Sequence, residues 1–196
     1  MTTMEQINFT LKIGKTTTSF AIPREQLLYR LVGQDRRPPD DLKAAYRHAL
    51  DHPIDSPPLG EIVKPGETVA ITVSDITRAW QRNDLTLPLL IDYLNEAGIR
   101  DRDITVIIAV GAHRQNSEAE CVELCTREIF DRVTVVNHNA WDHGNMVPYG
   151  TTSRGTEVAV NRLVAEADRV ILTGGVIYHY MVGYGGGRKS IIPGVA

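Results

Sequence analysis

Four short runs rich in β-branched residues recur through the last two thirds of the chain. They are Thr68-Val69-Ala70-Ile71-Thr72-Val73, Ile104-Thr105-Val106-Ile107-Ile108-Ala109-Val110, Val133-Thr134-Val135-Val136 and Arg169-Val170-Ile171-Leu172-Thr173. They are almost continuously apolar, so both faces of each strand are expected to be covered. Between them lie helical signals: Asp84 to Ala97, then Ser117-Glu118-Ala119-Glu120, whose capping-box form opens a helix to about Phe130, then Glu157 to Ala167. Strand and helix in alternation predict an α/β fold: a Rossmann-like, mostly parallel sheet with helices on both faces.

The region before the first run is organised differently. Residues 7–22 alternate around Gly14-Lys15 and read as a β-hairpin. Pro38-Pro39, a short helix from about Asp40 to Leu50 and a loop through Pro53, Pro57 and Pro58 follow. Residues 1–60 are therefore expected to form a hairpin-and-helix appendage on an α/β domain spanning 61–196. The apolar share of 42% suffices for a real core. A net charge of -3 speaks against nucleic acid or an acidic membrane as partner. No apolar run approaches the roughly 20 residues of a membrane helix, and Met1 to Glu5 lacks a secretory pattern. Two cysteines make no disulfide framework, and a cytoplasmic location is expected. Cys121 and Cys125 sit four apart on one helix face; reduced, packed thiols are expected there in preference to half a metal site.

Polar residues gather just past the carboxyl ends of the four runs. Ser74-Asp75-Ile76-Thr77-Arg78 follows the first, Gly111-Ala112-His113-Arg114 the second and Asn137-His138-Asn139 the third. The fourth opens into Gly174 to Ser190, which places His179, the glycines Gly185, Gly186 and Gly187, and Lys189 in one loop. Ligands of open parallel sheets bind at this edge, where strand order reverses. His113 and His179 suit proton transfer near neutral pH. Arg78 and Arg114 suit a carboxylate or phosphate. Asp75 suits orienting a histidine or binding a hydroxyl, and Lys189 is a phosphate contact or, if desolvated, a nucleophile. His138 and His143 lie in a polar loop, and His48 and His52 flank a helix end; all four are read as structural.

Two nucleotide motifs are excluded. Gly183, Lys189 and Ser190 fit a phosphate loop, but Arg188 stands at its second glycine, and Ile191-Ile192-Pro193-Gly194 stops any following helix. No Gly-x-Gly-x-x-Gly follows the first run, which disfavours an ordinary dinucleotide dehydrogenase.

Asp75-Ile76-Thr77-Arg78, Gly111-Ala112-His113-Arg114, the Gly155-Thr156 segment and His179 through Gly194 together resemble the N-terminal domain of the nickel-dependent lactate racemase family. The resemblance covers most of the chain from about residue 60. It implies a nickel-pincer nucleotide bonded to Lys189, with Asp75, Thr77, Arg78 and the glycines 185–187 holding it. His113 and His179 are implied as the acid/base pair that inverts a 2-hydroxy acid through hydride transfer, and Arg114 and Tyr184 are placed at the substrate. Lactate-specific members carry a basic residue where Ile76 stands, which points to a different hydroxy acid or a larger polyol acid. The family's nickel-binding histidine and its second domain lie beyond the lysine. The expectation is thus an N-terminal half, without a metal ligand of its own, inactive alone and prone to self-association. An anion- or nucleotide-binding module without catalysis is the alternative, and another reaction on the same cofactor a third.

Overall fold

The computed structural model describes residues 5–34 and 36–196. Two compact units divide the chain, the first ending at Pro39 and the second running Asp40–Ala196. The first contains the expected hairpin, β1 (Gln6–Ile13) and β2 (Thr16–Pro23), antiparallel in the register Ile13↔Thr16 to Gln6↔Pro23. Gly14, at φ 58°, takes the left-handed conformation of the tight turn between them. Phe9 and Phe20 stack across the pair at 5.6 Å.

The boundary at Pro39 lies earlier than the one expected at residue 60, and packing explains why. α1 (Leu42–Asp51), capped by Asp41, and the single turn α2 (Leu59–Ile62) place Tyr46, Leu50 and Leu59 against the core of the second unit. Residues 40–60 therefore belong with the sheet.

That sheet is four-stranded and entirely parallel. Its strands are β3 (Val69–Ser74), β4 (Ile104–Ala109), β5 (Thr134–Asn137) and, after two intervening strands, β8 (Arg169–Leu172), in the spatial order β5-β4-β3-β8. The pleat sends successive side chains to opposite faces. Val69, Ile71 and Val73, with Ile104, Val106 and Ile108, face α3 (Asn83–Glu96), α4 (Glu118–Cys125) and α5 (Arg127–Arg132). Leu87, Leu90, Ile91, Leu94, Cys121, Leu124 and Ile129 answer them in the main core. Cys121 and Cys125 are buried free thiols, and burial pushes Cys125 up to about 12.

Two helical expectations are corrected. The helix from Ser117 breaks at Thr126, whose backbone (φ 72°, ψ 154°) leaves the helical region while its side chain accepts from Ile129 N–H and caps a new helix. The helix expected over Glu157–Ala167 is instead β7 (Glu157–Asn161), paired antiparallel with β6 (Met146–Thr151), then the single turn α6 (Arg162–Ala165). Val160, Val164 and Val195 cover the second sheet face at Ala70 and Ile107. No helix among the described residues is long and apolar enough to cross a membrane.

Candidate functional site

Strand order reverses between β3 and β8: the chain leaves β3 for β4 and β5 on one side and returns to β3 on the other. The loops leaving β3 and β8 flank the crevice that such a reversal opens at the carboxyl edge. Past β3, the Asp75 carboxylate accepts from the backbone and hydroxyl of Thr77 and from Arg78 at 3.3 Å, which folds Ile76–Gln81 into 3-10 turns. Past β4, Gly111 sits at φ 56°, and a side chain there would stand 3.0 Å from the Pro193 carbonyl. That glycine lets the chain turn under the C-terminal segment and lift His113 to the edge.

His113 Nδ1 meets the second Asp75 oxygen. Asp75 is 2% exposed, whereas the His113 side chain is 51% exposed, so one ring edge is buried on a carboxylate and the other is open. Burial alone would raise the Asp75 carboxyl. Hydrogen bonds from Thr77 and His113, with the charges of His113 and Arg78, outweigh it and hold the carboxyl below its usual range.

Past β8 the glycine-rich loop forms a two-residue hairpin, β9 (Tyr178–His179) with β10 (Gly183–Tyr184), and returns in a 3-10 turn at Gly187–Ser190. Glycine at 186 is demanded by the chain itself: at φ 69°, its side chain would stand 3.0 Å from the Gly175 carbonyl. The loop thus folds back on its own start. Ser74, Arg78, Gln81, Ala109, His179, Gly185, Gly186 and Lys189 line the cavity it encloses. Burial and the neighbouring Arg78 lower the Lys189 ammonium below the usual lysine range, against a smaller opposing effect of Asp75.

The structure thus places Asp75, Thr77, Arg78 and His113 in one contact group, and Arg78, His179, Gly185, Gly186 and Lys189 on one cavity. Gly187 and Tyr184 lie on an adjoining, more open surface beside Lys189, with Tyr184 against Tyr178 at 5.4 Å. Arg114 is turned elsewhere: its guanidinium forks onto Glu120 at 2.6 and 2.7 Å and holds that carboxyl down at about 2. His138 is fully buried and accepts from Asn161 at 3.1 Å, a structural position. Among the described residues no group of three or more His, Cys, Asp or Glu is placed to hold a metal ion.

Two residues not singled out from sequence belong to this site. Asn116, 7% exposed, accepts from Ile76 N–H and donates to Asn137 Oδ1, tying together the loops after β3, β4 and β5. Its only sequence signal is its place beside the capping box. Gln81 Oε1 is buried at the cavity with no hydrogen-bond partner.

Residues 13–196 match the family described as the lactate racemase N-terminal domain. The chain belongs to that family. It is 31% identical over 188 residues to lactate racemase from Lactiplantibacillus plantarum and 28% identical over 191 residues to that of Thermoanaerobacterium thermosaccharolyticum. These alignments cover 95% and 96% of the chain but 44% of each relative, so the chain spans less than half their length. The lactate racemase apoprotein structure from T. thermosaccharolyticum superposes with a TM-score of 0.79 at 29% identity, over 97% of this chain and 44% of that one. A Thermotoga maritima crystal structure, at 24% identity and TM-score 0.62 over 79% of this chain and 38% of that one, shares the fold.

Proposed function

We propose that this chain carries the acid/base and cofactor-anchoring half of a nickel-pincer nucleotide-dependent racemase or epimerase of 2-hydroxy acids. The observation that carries the proposal is the convergence of Lys189, Arg78 and His179 on one cavity, with Arg78 also bonded to the Asp75 that holds His113. A family that contains lactate racemases supplies the reaction class.

The residues fit the cofactor. A lysine whose ammonium is lowered by burial and a neighbouring arginine has more free amine to form a covalent bond. The glycines 185–187 bring backbone close to it, and the unpartnered Gln81 Oε1 offers an acceptor. When bound, the nucleotide supplies a hydride acceptor and donor. The chain's own residues do the rest: Asp75, Thr77 and Arg78, bonded to one another, help hold the nucleotide and the substrate carboxylate. His113 and His179 take and return the hydroxyl proton. Tyr184 is assigned to the substrate side, and Arg114 also, once released from Glu120. With Ile76 apolar beside Asp75, the substrate class is a hydroxy acid other than lactate, larger polyol acids included. The apolar surface around Tyr178, Tyr180 and Met181, all more than 70% exposed, is assigned to a further domain or, in its absence, a second copy of the chain. The cytoplasm is the compartment proposed.

The test is an intact mass of the protein containing this chain, made in nickel-fed cells that synthesise the pincer nucleotide, with Lys189→Ala beside it. A nucleotide-sized adduct present on the unmutated protein and missing from the variant is the expected result. No adduct on either removes the racemase reading. It would favour an anion-binding module built on Arg78 and Lys189, in which His113→Ala and His179→Ala leave ligand affinity intact.

A further inference from the structure

We propose that the two histidines of this site are held in opposite neutral tautomers, His113 protonated on Nδ1 and His179 on Nε2. Asp75 and the turn at Met181–Val182 act as the positioning groups. A carboxylate only accepts hydrogen bonds, so the Asp75 contact requires a proton on His113 Nδ1. The lone pair of neutral His113 therefore lies on Nε2, at the exposed edge of the ring. A backbone N–H only donates. His179 Nδ1 faces the N–H groups of Met181 at 3.2 Å and Val182 at 3.4 Å, so it holds the lone pair and Nε2 carries the proton. The β9–β10 pairing of His179 with Gly183 fixes that turn, and the Tyr180 ring stacked at 5.0 Å fixes the imidazole plane.

The consequence rests on the hydroxy acid reading. With both rings neutral, only His113 can accept a proton at its exposed nitrogen, while His179 presents an N–H there. A substrate hydroxyl at His113 passes its proton from oxygen to Nε2, and the resulting imidazolium keeps its Nδ1–H on Asp75. A hydroxyl at His179 meets a donor. It can lose its proton there only after the Nε2 proton has shifted to Nδ1, at the expense of both backbone contacts. The two faces of the site therefore start in different states. The ratio of kcat/KM in the two directions is set by the equilibrium constant alone, which is one for enantiomers, so the difference has to be read from the rings themselves.

Long-range 1H–15N spectra of the 196-residue chain, labelled at histidine, read each ring directly without cofactor or substrate. At a pH well above the usual histidine pKa of about 6.5, His113 is expected to show a protonated Nδ1 and a bare Nε2, and His179 the reverse. In Asp75→Ala, which removes the acceptor, the His113 preference is expected to be lost, while His179 keeps its pattern. Asp75→Glu, which restores an acceptor, is expected to recover it. A purely structural role for Asp75 would shift resonances without exchanging the protonated nitrogen. Finding Nε2–H on His113 or Nδ1–H on His179 in the unmutated chain overturns the proposal, as does an unchanged His113 tautomer in folded Asp75→Ala. A missing Lys189 adduct leaves the tautomers untouched, so the two failures are distinguishable.

Discussion

Asp75 concentrates the chemistry of the site in one side chain, because it caps the turn after β3, braces Arg78 and holds His113. Its depressed pKa makes it a source of pH-dependent stability as well. The folded carboxyl sits below its unfolded value of about 3.9. The stability it contributes is thus complete above that value and is lost as pH falls through the folded pKa. Asp75→Asn is expected to lower stability near neutral pH by about 1.5–3 kcal/mol, the range for hydrogen bonds to a charged group. It should also narrow the gap between neutral and acid stability, as read by urea unfolding at several pH values. A gap as wide as in the unmutated chain would show that other carboxylates govern acid unfolding. Residue identity and placement past a strand pick out Asp75, His113 and Lys189 from sequence as candidates, and the first two are in direct contact. Neither signal marks Asn116, whose role comes only from its reach to Ile76 and Asn137.

The elements read most clearly were those whose own residues decide them. The strands of the parallel sheet are short, almost continuously apolar runs rich in β-branched residues, and their length and composition favour a doubly covered strand over a buried helix. Over Glu157–Ala167 two periods overlap, so the sequence predicts a helix where the structure has a strand. Val158 and Val160 are two apart, whereas Val160, Val164 and Ala167 have helical spacing. Pairing with Met146–Thr151 decides between them, and that partner is not local. The break at Thr126 is hidden for a related reason: a threonine with φ at 72° is kept there by the packing of α4 and α5, with no glycine to announce it. The helix start, in contrast, is entirely local. Ser117 accepts from Glu120 N–H at 3.3 Å while the Glu120 side chain accepts from Ser117 N–H at 2.8 Å. Ser117→Ala is expected to cost about 1 kcal/mol by chemical denaturation. A matching loss of amide exchange protection should appear in the first turn of α4. A loss spread evenly over the molecule would place the effect elsewhere than in the cap.

For the whole molecule, the division at Pro39 carries an asymmetry in stability. Every residue of both hydrophobic clusters lies beyond it, between Tyr46 and Val195. The four-stranded sheet and the helices on its main face are complete within Asp40–Ala196. Before it lie one hairpin and a segment in which Leu28, Tyr29, Leu31 and Val32 are all more than 70% exposed. A lone two-stranded hairpin is marginal in water, because it buries too little apolar surface to offset the ordering of its backbone. A fragment of residues 40–196 is therefore expected to unfold in a single cooperative urea transition and to keep slow-exchanging amides in β3 and β4. A peptide of residues 1–39 should show neither a transition nor protected amides. If the long fragment were to lose its cooperative transition, the hairpin would have to be counted as part of the sheet domain's folding unit. The candidate site would then depend on residues far from it in sequence. If the fragment holds, Asp75, His113, His179 and Lys189 all stand on a scaffold that folds without the first 39 residues, and its tautomers and lysine chemistry can be measured there.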